Sequence, residues 1–76
     1  MMIKMEDFQK SVYEERKELK DRIDKLIFFI NGDMFKIIKL DEQVRLRMQY
    51  TYMMLYRNIL DERIEHFVKC HTFIKI

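Results

Sequence analysis

The stretch INGDMFKIIKLDEQ, residues 30–43, decides the fold that the sequence predicts. Asn31-Gly32 follows the last apolar residue of a helical pattern, and glycine is common just past a helix end because it tolerates positive φ. Asp33 is suited to cap a short helical turn, DMFKII. Asp41, with further acidic residues after it, is typical of the N-cap of a second long helix. These signals predict two long helices joined by a short helical connector.

The segment before the connector, residues 5–31, has the apolar periodicity of one long helix with a single buried stripe. The stripe consists of Phe8, Val12, Leu19, Ile23, Leu26 and Ile30. Glu15 and Arg22 occupy stripe positions although they are charged. We therefore expect these two residues either to pair with other residues or to face a polar cavity.

The segment after the connector is predicted to be helical from about Asp41 to about Lys69. One apolar face contains Val44, Met48, Leu55, Ile59 and Phe67, and a second set, Leu46, Met53, Leu60 and Ile64, lies beside it or further around the helix. Two helices of similar length with a short connector pack antiparallel. The predicted fold class is all-α, an antiparallel helical hairpin that forms a single domain over residues 1–76.

The second helix has more apolar surface than one partner helix can cover. In YTYMMLYRNIL, Tyr50–Leu60, apolar and aromatic side chains surround the helix, whereas an amphipathic helix needs one stripe. A chain of 76 residues buries only about 60% of its unfolded surface, and its single cysteine, Cys70, excludes an intrachain disulfide. The sequence therefore predicts a homo-oligomer in which other copies cover the extra Met- and Tyr-rich face. We expect the apolar tail, residues 71–76, to extend the helix or to lie along a neighbour.

The composition excludes several classes of function. The chain has one glycine, so it has no glycine-rich phosphate loop, and Cys70 and His71 are adjacent, so their side chains diverge on a helix. His66, Cys70 and His71 fall short of the four ligands of a structural zinc site. We predict no enzymatic activity, no metal and no cofactor. No apolar run reaches 18 residues and the start lacks a signal-peptide core, which indicates an intracellular protein without a membrane span.

Aromatic and cationic residues interleave along the chain in a pattern that favours binding of a nucleotide. Phe8 and Tyr13 lie near Lys10 and Arg16, and further cations are Arg22, Lys25, Arg57 and Arg63. Aromatic faces stack on bases, and Arg or Lys pairs with phosphate. In an oligomer, such residues repeat around symmetry axes, which suits a small cyclic ligand with repeated phosphates.

Two alternatives remain at this point. The first is a hairpin that docks on a host protein through its Met/Tyr face, because methionine-rich surfaces adapt to varied partners. The second is a DNA- or RNA-binding factor that uses Arg45, Arg47 and Arg57. A net charge of only +2 and acidic residues in both helices argue against DNA as a partner.

Several motifs resemble those of phage anti-CBASS sponges, small proteins that sequester immune cyclic oligonucleotides and share a related hairpin with anti-Thoeris sponges. The first helix contains F-Q-K-x-V-x-x-E-x-x-E-L-K-D-R-I-D-K-L-x-x-F-I, residues 8–30. The second contains E-Q-x-R-L-x-x-Q, residues 42–49, and M-x-x-Y-x-x-I-L-x-E-R-I-x-x-F, residues 53–67. The joint occurrence of E-L-x-x-R-I-x-K-L and I-L-x-E-R-I carries most of the resemblance.

The resemblance implies a compact homohexamer that binds cyclic dinucleotides in the host bacterial cytoplasm and keeps them from the bacterial effector without cleaving them. It implies that Phe8 or Tyr13 stacks on a base and that Lys25 contacts phosphate. Some members bind cyclic trinucleotides at a separate site, whose arginine corresponds to Arg63. The threonine of that site is replaced here by Ile27, which cannot donate a hydrogen bond, so the resemblance implies dinucleotide binding more directly than trinucleotide binding.

Overall fold

The computed structural model describes the backbone of residues 3–75 and the side chains of residues 7–67. It contains α1 (Ile3–Ile30), α2 (Asp33–Ile37) and α3 (Leu40–Lys75), and this range contains no strand. The two long helices pack against each other as a rod of 56 × 18 × 16 Å. The predicted all-α hairpin with a short helical connector is confirmed. α3 extends past the predicted end near Lys69, so the backbone of the tail continues the helix as far as Lys75.

The connector differs from the prediction in its backbone conformation and in the residue that caps α2. Gly32 lies just past the end of α1 and forms the N-cap of α2. Its φ is −92° and its ψ is 174°, so the expected left-handed conformation is wrong. The chain leaves α1 through backbone hydrogen bonds from the Asn31 and Gly32 amides to Ile27 and Phe29 carbonyls. Asp33 is the first residue of α2 and not its cap. The turn therefore depends on backbone hydrogen bonding and not on a conformation that only glycine adopts.

α3 likewise begins one residue earlier than predicted. The helix begins at Leu40, which places Asp41 in its first turn and not at its N-cap. The side chain of Gln43 donates a hydrogen bond of 3.0 Å to the Ile38 carbonyl and thereby links the connector to α3. Asp41 still favours this helix end, because a negative charge in the first turn complements the helix dipole.

The core lies along the stripe that the sequence predicts for α1. Val12, Leu19, Ile23 and Ile30 are buried, and the first three pack with Leu60 of α3 in one cluster. The core runs along one seam because only two helices pack together.

The sequence left open which apolar face of α3 meets α1, but it grouped Phe67 with Val44, Met48, Leu55 and Ile59, and that grouping is wrong. Val44, Met48, Leu55 and Ile59 point away from α1, and the residues that pack on the core are Tyr50, Met53, Met54, Leu60, Ile64 and Phe67. The exposed face forms a continuous line of large side chains three or four residues apart, each 49–62% exposed, and we call it the outer stripe: Val44, Met48, Tyr52, Leu55 and Ile59. α3 therefore has two apolar faces, and α1 covers one of them.

An ion pair joins α1 to α3 across the seam between the two helices. Arg16 Nε donates to Asp61 Oδ1 at 2.6 Å, and Nη2 lies 3.4 Å from Oδ2. The hydrogen bond from Arg16, together with a weaker contribution from the charge of Arg57, holds the pKa of the Asp61 carboxyl below its ordinary value. Because the two residues are 45 positions apart, the pair forms only when the helices are in the native register.

We expect Asp61→Asn to lower the free energy of unfolding at pH 7 by no more than about 1 kcal/mol, because both side chains are partly exposed and water screens the pair. The pKa of Asp61 is depressed in the folded state, so the stability it contributes is present above its unfolded pKa, about 3.9, and disappears as the pH falls through the folded value. Urea unfolding from pH 7 down to pH 2 should show the two proteins converging below about pH 4. Glu62→Gln, an exposed change on the same helix, serves as the control; an equal loss in both variants would contradict a specific role for the pair.

Candidate functional site

An aromatic and cationic cluster lies at the end of the hairpin opposite the connector. The guanidinium carbon of Arg63 is 5.3 Å from the centre of the Phe8 ring, and the Phe67 ring meets Phe8 edge-on at 6.0 Å between centres. Phe8 is nevertheless 49% exposed. The structure thus brings together two of the residues predicted as ligand contacts, Phe8 and Arg63. The arrangement offers an oriented ring beside a positive charge.

A small pocket of about 220 Å³ lies between α1 and α3, near the middle of the rod. It is lined by Glu15, Glu18, Leu19, Arg22 and Tyr56. The polar cavity expected for Glu15 and Arg22 is therefore present. Sequence reasoning identified Arg22 but missed Tyr56, because its place opposite Arg22 depends on the register of the two helices. No local signal in the sequence gives that register.

Lys25 and Tyr13, the other predicted contacts, are exposed on α1 but belong to different surfaces. Lys25 follows Arg22 by three residues, so it lies one turn from the pocket. Tyr13 is twelve residues before Lys25, which places it about 120° around the helix from the lysine. Phe8 and Lys25 are 17 positions apart on one helix, which separates them by about 25 Å. The predicted residues therefore do not form one site within a single chain.

The outer stripe is flanked by an open groove of about 630 Å³, lined by Arg45, Met48, Gln49, Tyr52, Met53 and Tyr56. Arg45 pairs with Glu42 at 2.9 Å and with Asp41 at 3.6 Å. Arg47 stacks on Phe35 at 5.0 Å on another side of α3. The third residue of the proposed nucleic-acid surface, Arg57, is half-buried. These three arginines do not form a shared basic surface, which disfavours the DNA- or RNA-binding alternative.

A comparison with known protein families favours one of the remaining interpretations. The sequence profile of the sequestin family matches residues 6–66, most of the chain. The chain belongs to the sequestin family. Sequestins are phage sponge proteins that act against CBASS and Thoeris defence, so the resemblance inferred from the motifs is confirmed. The family binds and sequesters small signalling molecules and is not catalytic.

Neither the curated proteins nor the solved structures contain a match. Within residues 7–67, no three His, Cys, Asp or Glu side chains come together as a metal site, and Cys70 and His71 of the rejected zinc site lie outside the described side chains. Over the described residues, no helix has the length and apolar character needed to cross a membrane.

Proposed function

We propose that this sequestin binds bacterial immune cyclic oligonucleotides, cyclic dinucleotides in the first place, and withholds them intact from the effectors of CBASS-type defence in the host bacterial cytoplasm. The observation that carries the proposal is the family match over residues 6–66. Sequestration requires tight, non-covalent binding of an anionic, base-containing ligand. It does not require a nucleophile or a general base.

The exposed side chains supply the two kinds of contact that such a ligand needs. Phe8 presents a ring for stacking, with Tyr13 as the alternative, and Lys25 and Arg22 supply positive charge for phosphate. Arg63, stacked on Phe8, is the proposed contact for a cyclic trinucleotide. At Ile27 the trinucleotide site lacks a hydrogen-bond donor, so dinucleotides are the proposed primary ligands.

The distance between Phe8 and Lys25 supports a site shared between copies of the chain. A separation of about 25 Å is too great for both residues of one chain to hold the same small ligand. The outer stripe supplies an apolar surface through which copies can associate. We propose a homo-oligomer of single-domain hairpins, a hexamer, in which different copies contribute the ring and the cation.

A capture-and-release assay tests the proposed function directly. The purified protein is mixed with a panel of cyclic di- and trinucleotides, unbound ligand is removed by filtration, and the protein is digested with protease. We expect mass spectrometry of the released material to recover intact cyclic dinucleotide. Recovery of linear or cleaved nucleotide would mean catalysis, and recovery of nothing would exclude these ligands.

We expect Lys25→Ala to weaken cyclic dinucleotide binding by about 10- to 100-fold, because a hydrogen bond to a charged group contributes about 1.5–3 kcal/mol. Isothermal titration calorimetry gives the affinity, and light scattering should show an unchanged oligomer. Lys17→Ala removes the same charge from another exposed position of α1 and should bind as the wild type does. Normal binding by Lys25→Ala would show that this lysine is not a ligand contact.

The second candidate function is docking on a host protein through the outer stripe, which a single hairpin leaves uncovered. This alternative predicts a monomer or dimer that binds no cyclic nucleotide. Light scattering together with the capture assay separates the two candidate functions. An oligomer that sequesters nucleotides covers the outer stripe, whereas docking on a host protein needs the outer stripe to be exposed.

A further inference from the structure

The pocket between α1 and α3 contains charged groups that the fold does not use. Glu15, Glu18 and Arg22 make no hydrogen bond or ion pair with any other residue of the described part of the chain. Arg22 follows Glu18 by four residues, a spacing that permits an ion pair on a helix, yet none forms. Two carboxylates and one guanidinium therefore remain available around a single small cavity.

The other walls of the pocket suit a flat, apolar group. Leu19 forms part of the core and also lines the cavity, and Tyr56 contributes an exposed aromatic ring from α3. A volume of about 220 Å³ is below the usual 300–1,000 Å³ of a site for a complete small-molecule ligand. The pocket is suited to one ring system of a larger ligand and not to the whole of it.

The distribution of donors and acceptors distinguishes between the purine bases. Guanine presents two acceptors side by side, which pair with an arginine, and on its next edge two adjacent N–H donors, which pair with a carboxylate. Adenine offers an amino group, but the ring nitrogen beside it is an acceptor and would meet the carboxylate with its lone pair. The combination of Arg22 with Glu15 and Glu18 therefore matches guanine and opposes adenine.

We propose that this pocket binds a guanine base of the cyclic nucleotide, with Tyr56 as the stacking surface, Arg22 as donor and Glu15 and Glu18 as acceptors. The proposal rests on the proposed function and specifies the base that the protein selects. Lys25 lies one turn beyond Arg22, on the part of α1 where the sugar and phosphate of a base bound in the pocket would emerge. The pocket is complete in one chain, unlike a site that combines Phe8 with Lys25.

The test compares three cyclic dinucleotides that contain two, one and no guanine bases, with adenine in the remaining places. For the wild-type protein, calorimetry should show at least about ten-fold tighter binding of the nucleotides with guanine than of the all-adenine one, the discrimination expected of a bidentate contact. Glu18→Gln, or the double variant with Glu15→Gln, should reduce this ratio to about three or less. Tyr56→Ala should weaken all guanine-containing ligands about five-fold or more, whereas Tyr56→Phe should not.

Glu14→Gln is the matched control, because Glu14 is exposed one turn before Glu18 but does not line the pocket, and the substitution removes the same charge. Equal affinity of the wild type for all three nucleotides would overturn the guanine proposal and leave the proposed function standing. An equal fall of the ratio in Glu14→Gln, or unchanged binding by Tyr56→Ala, would also overturn it. If none of the three nucleotides binds to the wild type, the guanine proposal fails; the proposed function fails with it only if the capture assay also recovers no other cyclic nucleotide.

Discussion

Leu55→Glu is expected to convert the oligomer into single chains of 9.6 kDa. Leu55 lies in the middle of the outer stripe, with Met48 and Tyr52 before it and Ile59 after it, and is 53% exposed in one hairpin. In an oligomer that covers this stripe, a glutamate at the same position is an unpaired charge in an apolar interface, which is strongly unfavourable. Because a hairpin of this size is marginally stable alone, the dissociated chains should also lose much of their helicity.

Light scattering gives the mass and circular dichroism gives the helicity of the same sample. Asn58→Glu introduces the same charge at an exposed position of α3 that borders the outer stripe without being part of it, and it should keep the wild-type mass. A Leu55→Glu variant that keeps that mass would show that the oligomer uses another surface. A wild-type protein with the mass of one chain would remove the homo-oligomer from the proposal.

Leu60→Ala is expected to lower the free energy of unfolding by about 2–5 kcal/mol, the usual cost of an alanine at a fully buried leucine. Leu60 is 0% exposed and is the α3 member of the core cluster with Val12, Leu19 and Ile23. A domain of this length has a total stability of roughly 4–11 kcal/mol, so the loss is a large part of it. The midpoint of urea unfolding, followed by circular dichroism, measures the change.

Leu40→Ala is the control for this prediction, because Leu40 is 73% exposed at the start of α3. We expect it to change the free energy of unfolding by about 0.5 kcal/mol or less, as is usual for exposed positions. Equal midpoints for the two variants would mean that the seam between α1 and α3 contributes little, and that contacts between copies supply most of the stability.

The sequence predicted α1 better than α3 for a physical reason. α1 has one apolar stripe, so its periodicity identifies the buried residues Val12, Leu19 and Ile23 directly. α3 has apolar residues on two faces, and periodicity alone cannot say which face meets α1. The sequence therefore left this choice open, and the structure exposes the face with Val44 and Leu55.

Contacts across the hairpin were beyond sequence reasoning, because they depend on how far one helix is shifted along the other. The pair of Arg16 with Asp61 and the placement of Tyr56 opposite Arg22 both follow from that register. The contact between Phe8 and Arg63 also depends on it, although both residues were identified from motifs within their own helices.

The bounds of α1 give the positions of Phe8 and Lys25 a simple symmetry. Phe8 follows the first residue, Ile3, by five positions, and Lys25 precedes the last residue, Ile30, by five. Two α1 helices laid antiparallel over their whole length therefore put the Phe8 of each copy level with the Lys25 of the other. Tyr13 has no such relation to Lys25. A twofold axis between two such helices, level with the middle of each, would give two equivalent places where a ring and a cation lie at the same height, one at each end of the helix pair.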